Sequence, residues 1–196
     1  MKILNNIFRI LTIIILGSIY AFVLFNSFQK DNLFSIFIYI IIGIIGLPFY
    51  YKTILKDKFD YLEKKTLACY LPTIVGVIFI AINIGIYLNF KIKEYKPTLV
   101  KAENHGLYAD FKKNRTYIIK SGSWASKTHF YGTYSIKDSL IILDKTDYDK
   151  VLLTNKLIIQ KTENLNYLIQ IDNKGNELND NFRFEITLDN RIKIND

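Results

Sequence analysis

Three uncharged apolar runs dominate the first half of the chain, and after Pro97 such runs disappear. They cover residues 10–28, 32–51 and 66–90. At 1.5 Å of rise per helical residue, each is long enough to cross a hydrocarbon core about 30 Å thick. The third run exceeds that minimum and allows a tilted span. A cleaved signal peptide would account for the first run alone, but no small-residue cleavage motif follows it and two further runs do. The pattern predicts a bundle of three transmembrane helices within residues 1–96.

From Thr98 onward the period changes to short alternating stretches broken by turn residues, the mark of an antiparallel meander. Strands are expected at 107–111 and 116–120 around Lys112-Lys113-Asn114-Arg115, and at 129–136 and 140–143 around Lys137-Asp138. A third pair covers 156–160 and 167–171, with Gly175 in the next turn, and a fourth joins 182–188 to 191–194 through Asp189-Asn190. About eight short strands in an open sheet would leave aggregation-prone edges, and closure removes them. The expected fold class is therefore a membrane α-helical bundle followed by an all-β domain over 97–196. That domain is expected to be an antiparallel, lipocalin-like up-and-down barrel, with room inside for side chains or one small ligand.

The formal net charge of +8 changes this picture little once divided by region. Residues 1–96 hold 11 Lys+Arg against 5 Asp+Glu, and residues 97–196 hold 15 against 13. The excess flanks apolar runs, where basic residues anchor and orient membrane helices. No basic stretch interleaved with aromatics marks a DNA or RNA surface. Lys2, Arg9, Lys52, Lys56, Lys58, Lys64 and Lys65 fall on one side of the bundle, against Lys30, Lys91, Lys93 and Lys96 on the other. Seven against four favours a cytoplasmic N-terminus, and three complete spans then carry the β domain to the opposite side.

Candidate chemistry is sparse. A single cysteine, Cys69, excludes a disulfide framework, and two histidines make no convincing zinc site, so no metal and no cofactor are expected. Phosphate loops, nucleophile elbows and metal-binding helix motifs are missing, which argues against an enzyme. No Asp, Glu, Arg or His interrupts the three runs, so the marks of a proton relay or ion pathway are missing too. Gly17 with Ala21, and Ala81 with Gly85, are small residues four apart that let helix backbones approach. Asn83 lies inside the third run and calls for a hydrogen-bonding partner on another helix. Packing within one chain and assembly between chains both satisfy these features.

The segments Leu107–Tyr117 (LYADFKKNRTY) and Tyr131–Ile136 (YGTYSI) look like the strand-turn-strand phrases of small lipocalin-like bacterial barrels. With an N-terminal bundle and about two hundred residues in all, the architecture resembles the membrane-anchored β-barrel effectors of bacterial cyclic-oligonucleotide antiphage signalling (CBASS). The resemblance implies a barrel that senses a cyclic di- or trinucleotide and spans that self-associate among the membrane lipids until the inner membrane fails. It also implies a cytosolic barrel, against the charge asymmetry. The alternative is an inner-membrane protein whose periplasmic lipocalin-like domain binds a lipid, toxin or envelope partner.

A cyclic dinucleotide needs cationic donors for its phosphates and flat faces for its bases. The candidates are Arg115, Trp124, Lys127, His129, Tyr131, Tyr134 and Arg183. Strand alternation puts Tyr131 and Tyr134 on opposite faces, and puts Lys127 and His129 with Tyr131. Arg183 alternates with Phe182 and Phe184, so its side of the wall depends on theirs. Trp124, in a small-residue loop, is equally suited to plug the barrel mouth and to stack on a ligand. The bland reading of each charged candidate is a solvated face.

Overall fold

A computed structural model describes residues 2–123, 125–146, 148–149, 151–162, 165–178 and 183–191. The chain divides into two compact units, Met1–Ile92 and Lys93–Asp196.

The first unit holds α1 (Lys2–Ser27), the three-residue strand β1 (Lys30–Asn32), α2 (Leu33–Lys64), a 3-10 turn (Leu67–Tyr70) and most of α3 (Leu71–Tyr95). All three helices are long and apolar enough to cross a membrane. Asn32 caps α2 by accepting from the Ser35 amide at 3.1 Å. The stretch 52–65, expected as a loop, is helical almost throughout: α2 runs 32 residues, about 48 Å at 1.5 Å each. It stops at Lys65, whose left-handed conformation (φ 55°) lets its amide reach the Tyr61 carbonyl.

That extension carries the charges that organise the unit. Asp57 is fully buried. One of its oxygens meets the Arg9 guanidinium of α1 at 2.6 Å, and the other accepts from the Thr73 amide at 3.0 Å and hydroxyl at 2.6 Å. Thr73 is the third residue of α3, so Asp57 satisfies one of the amides that a helix start leaves open and places negative charge at the positive end of its dipole. Arg9 also bonds Asn6 at 2.6 Å, and Asp60 pairs with Lys56 at 3.0 Å. Toward the other end of α1, Phe28 stacks on Phe90 with ring centroids 4.5 Å apart.

The second unit is a closed eight-stranded antiparallel barrel. Its strands are β2 (Thr98–Asn104), β3 (Leu107–Lys112), β4 (Thr116–Gly122), β5 (Ser126–Lys137), β6 (Leu140–Leu143), β7 (Lys156–Lys161), β8 (Asn166–Gln170) and β9 (Phe184–Asp189). Each pairs with the next in sequence and β9 returns to β2, the up-and-down order. The expected count holds with different membership. Thr98–Asn104 is a strand that the alternation did not reveal, because a register shift between Thr98 and Val100 buries Leu99 and Val100 together. The strand expected at 191–194 falls largely outside the described residues; Arg191 itself is a bend.

Side chains fill the interior. Phe111 packs edge-on to Tyr134 at 5.1 Å, and the loop after β6 brings Tyr148 inside, edge-on to Phe130 at 5.5 Å. Tyr148 and Tyr117 share a hydroxyl–hydroxyl hydrogen bond of 2.8 Å. The Tyr117 hydroxyl also donates to Asp144, as do the Thr133 amide and hydroxyl. Gly132 lies across from Tyr117 in the β4–β5 ladder. A Cβ there would run into the Tyr117 hydroxyl and the Asp144 carboxylate, so the ring lies over bare backbone.

Two outcomes follow. Removing one partner of a buried ion pair costs about 3–5 kcal/mol, whereas apolar replacement of both is often neutral. Asp57→Asn should therefore lower the melting temperature of the full chain in detergent, and Arg9→Met with Asp57→Leu should recover part of the loss; an equally deep loss in the double variant would contradict this account. The second outcome concerns acid. Burial alone would raise the Asp144 carboxyl, but hydrogen bonds from Thr133 and Tyr117 outweigh it and hold the group below its usual range. A carboxyl depressed by folding adds stability above its unfolded pKa, about 3.9, and loses it as pH falls through the folded value. Barrel melting temperatures should fall below about pH 5, and Asp144→Asn should flatten that decline.

Candidate functional site

β5 alternates as expected. Tyr134 points inward, 5% exposed, and its hydroxyl donates to the Lys112 carbonyl at 2.8 Å. Lys127, His129 and Tyr131 occupy the opposite, outer face, and the ladder sets Lys120 of β4 directly across from His129. His129 Nδ1 and the Tyr131 hydroxyl are 3.3 Å apart. Burial first, then the nearby Glu94 carboxylate, pushes the Tyr131 phenol up, so it stays protonated at neutral pH.

The end of α3 and the residues after it are fastened to this wall. Glu94 pairs with Lys120 at 2.9 Å, and the Lys93 ammonium lies 5.7 Å from the Tyr131 ring centroid. Lys112, 2% exposed, donates to the Glu94 carbonyl at 2.8 Å and pairs with Asp110 at 2.6 Å. The Lys113 amide bonds the Pro97 carbonyl at 2.8 Å. A lysine on a carbonyl of the last helical turn is both a cap and a favourable charge for the helix dipole. The patch thus offers ammonium groups, an imidazole and an aromatic face around one carboxylate, a donor set suited to a phosphate beside a base.

The other candidates lie elsewhere. Arg115 is in the left-handed region (φ 67°) of the β3–β4 turn, its guanidinium 5.9 Å from the Tyr134 centroid. Phe184 points into the core, 1% exposed, which puts Arg183 outside. There Arg183 forms a two-pronged pair with Glu177 at 2.7 and 2.9 Å, across the ring from β4 and β5. Trp124 and Phe182 lie outside the described residues. Sequence reasoning missed Lys120, Lys93 and Glu94. Hairpin register would have found Lys120, since an outward His129 fixes what lies across from it.

In the helical unit the proposed assembly residues separate into two sets. A Cβ on Gly17 would collide with the Phe79 ring at 2.6 Å, so that glycine serves packing inside the chain; Ala21, one turn on, is half-buried. Ala81 is exposed and a Cβ on Gly85 meets nothing within 4 Å, so this pair faces outward. Asn83 lies two residues from each, about 200° around the helix, and its Nδ2 donates to the Phe79 carbonyl of its own helix at 2.7 Å. No family model matches this chain, and no curated protein or solved structure matches it either.

Proposed function

We propose that this chain is a ligand-gated membrane effector of antiphage defence. A cyclic di- or trinucleotide binds the outer wall of β4–β5, and the apolar helices then assemble and breach the inner membrane. The observation that carries the reading is the Glu94–Lys120 pair. It ties the last turn of α3 to the wall that holds His129, Tyr131 and Lys127. Its side chains are 23% and 34% exposed, and a pair so open to water contributes about 1 kcal/mol at most. A ligand phosphate can replace the Glu94 carboxylate at Lys120, and loss of that tie frees the helix end. Because α3 also presents Ala81 and Gly85 outward, its release is the step that brings neighbouring copies together.

One observation favours a second reading, a periplasmic barrel for a lipid, toxin or envelope partner: the seven-to-four excess of basic residues on the N-terminal side. The filled interior weighs against a lipid held inside, since Tyr148 and the loop carrying it would have to leave. A reporter fused after Asp196 separates the two, and activity confined to the periplasm would end the effector reading.

With a cytosolic barrel, calorimetry of the full chain against a panel of cyclic di- and trinucleotides should find a binder. Lys120→Gln and Tyr131→Ala should each weaken it about 10-fold, a loss of about 1.4 kcal/mol, while Arg183→Ala on the opposite wall should leave it unchanged. Assembly has its own check. Gly85→Leu should insert, fold and bind ligand normally, yet fail to permeabilise cells to dye; full dye entry would show that this face of α3 does not drive assembly.

A further inference from the structure

Between α1, α2 and α3 lies a partly open cavity of about 450 Å³, within the range of small-molecule sites. Its walls are almost wholly apolar, and Gly43, where a Cβ would meet nothing within 4 Å, is among the residues that line it. Asn83 enters it from α3. Its Nδ2 is spent on the Phe79 carbonyl, but its Oδ1 is buried and accepts no hydrogen bond. None of the three tyrosines that line the cavity, Tyr20, Tyr39 and Tyr50, donates to this oxygen. Tyr50 donates to the Thr73 carbonyl at 3.0 Å and Tyr39 to the Ser27 hydroxyl at 2.8 Å. An acceptor without a donor in so apolar a place is unfavourable, because no water is there to replace the missing partner.

The missing partner therefore has a definable chemistry: an apolar body that fills the cavity, and one O–H that reaches Asn83. Depth restricts it further. Asn83 lies about 18 Å along α3 from Leu71, well inside a hydrocarbon core about 30 Å thick. Phospholipid headgroups stay at the interface and do not reach that level. A second copy is poorly placed as well, because three helices of one chain wall the cavity and the outward Ala81–Gly85 pair is on another side of α3.

We propose that this cavity binds a hydroxyl-bearing, long-chain apolar molecule drawn from the bilayer, its O–H donating to Asn83 Oδ1. The site is separate from anything the barrel senses, and it does not depend on the effector reading.

The test uses a matched pair of probes on the full chain in detergent: oleyl alcohol, which can donate, and oleyl methyl ether, which cannot. The alcohol should raise the melting temperature saturably, with an apparent affinity about 3- to 30-fold tighter than the ether. Asn83→Leu should abolish the difference between the probes. A Cβ on Gly43 meets nothing within 4 Å, so Gly43→Leu should fill the cavity without disturbing the fold and remove stabilisation by both. Equal shifts with alcohol and ether, no shift with either, or a preference that survives Asn83→Leu would overturn the proposal. So would a Gly43→Leu chain that still binds the alcohol but sediments at a different oligomeric size, which would assign the cavity to a neighbouring copy.

Discussion

A carboxylate cut off from water has to find all its partners inside the protein, and Asp57 finds them on two other helices. Arg9 meets one oxygen and the start of α3 meets the other. This requirement sets much of the helical unit. It explains why α2 continues as helix well past its apolar run, since Asp57 must stand beside Thr73. It also fixes the rotation of α3. With Thr73 turned toward Asp57, Gly76 comes against the Tyr50 ring, Phe79 against Gly17, and Asn83 into the cavity. Residues at spacings of three and four share that inner face, and Ala81 and Gly85 are left outside. The cavity and the outward face are thus two results of one helix orientation.

The barrel meets a different constraint. Eight strands enclose a space that must be filled, and here aromatic rings fill it, one of them delivered by a loop. With the interior filled, the proposed ligand site is on the wall. On the β4–β5 wall, Lys120, Lys127, His129 and Tyr131 share the outer face, and the Glu94 carboxylate at the end of α3 is bonded to Lys120. The two ends of the Lys112 side chain and backbone show how close the coupling is. Its carbonyl accepts from Tyr134 in the core, while its ammonium holds the Glu94 carbonyl outside. Core packing and the helix end thus meet in one residue.

Periodicity made the broad architecture legible: long uncharged runs announce helices, and alternation announces strands. It failed where a local feature broke the period. β2 was hidden by its bulge, which puts Leu99 and Val100 in the core side by side. The extension of α2 was hidden by its lysines, which read as a loop, because the buried pairings of Asp57 with Arg9 and of Asp60 with Lys56 declare themselves only in three dimensions. The candidate site was half legible. Strand alternation correctly separated Tyr131 from Tyr134, and it left open the side of Arg183, which Phe184 settles. Lys93 was counted only among the basic residues that flank the third run, and Glu94 was not singled out. Only the fold brings them to Tyr131 and Lys120.

If this wall receives a ligand as proposed, magnitudes constrain how the signal can act. Losing one partly exposed ion pair shifts the balance between held and freed helix end by about 1 kcal/mol at most, whereas moving a two-state equilibrium from 1:99 to 99:1 takes about 5.5 kcal/mol. Competition for Lys120 alone is therefore too weak a trigger. Stacking on Tyr131 adds about 1–3 kcal/mol for a base, which still falls short in a single chain. The remainder has to come from contacts that exist only in the responding state, and an assembly of chains supplies them. Once one helix end is freed, each neighbour adds a contact made at high effective concentration within the plane of the membrane. On this proposal a weak local trigger becomes a sharp response, and a monomer held below the density needed for assembly stays inert even with ligand bound.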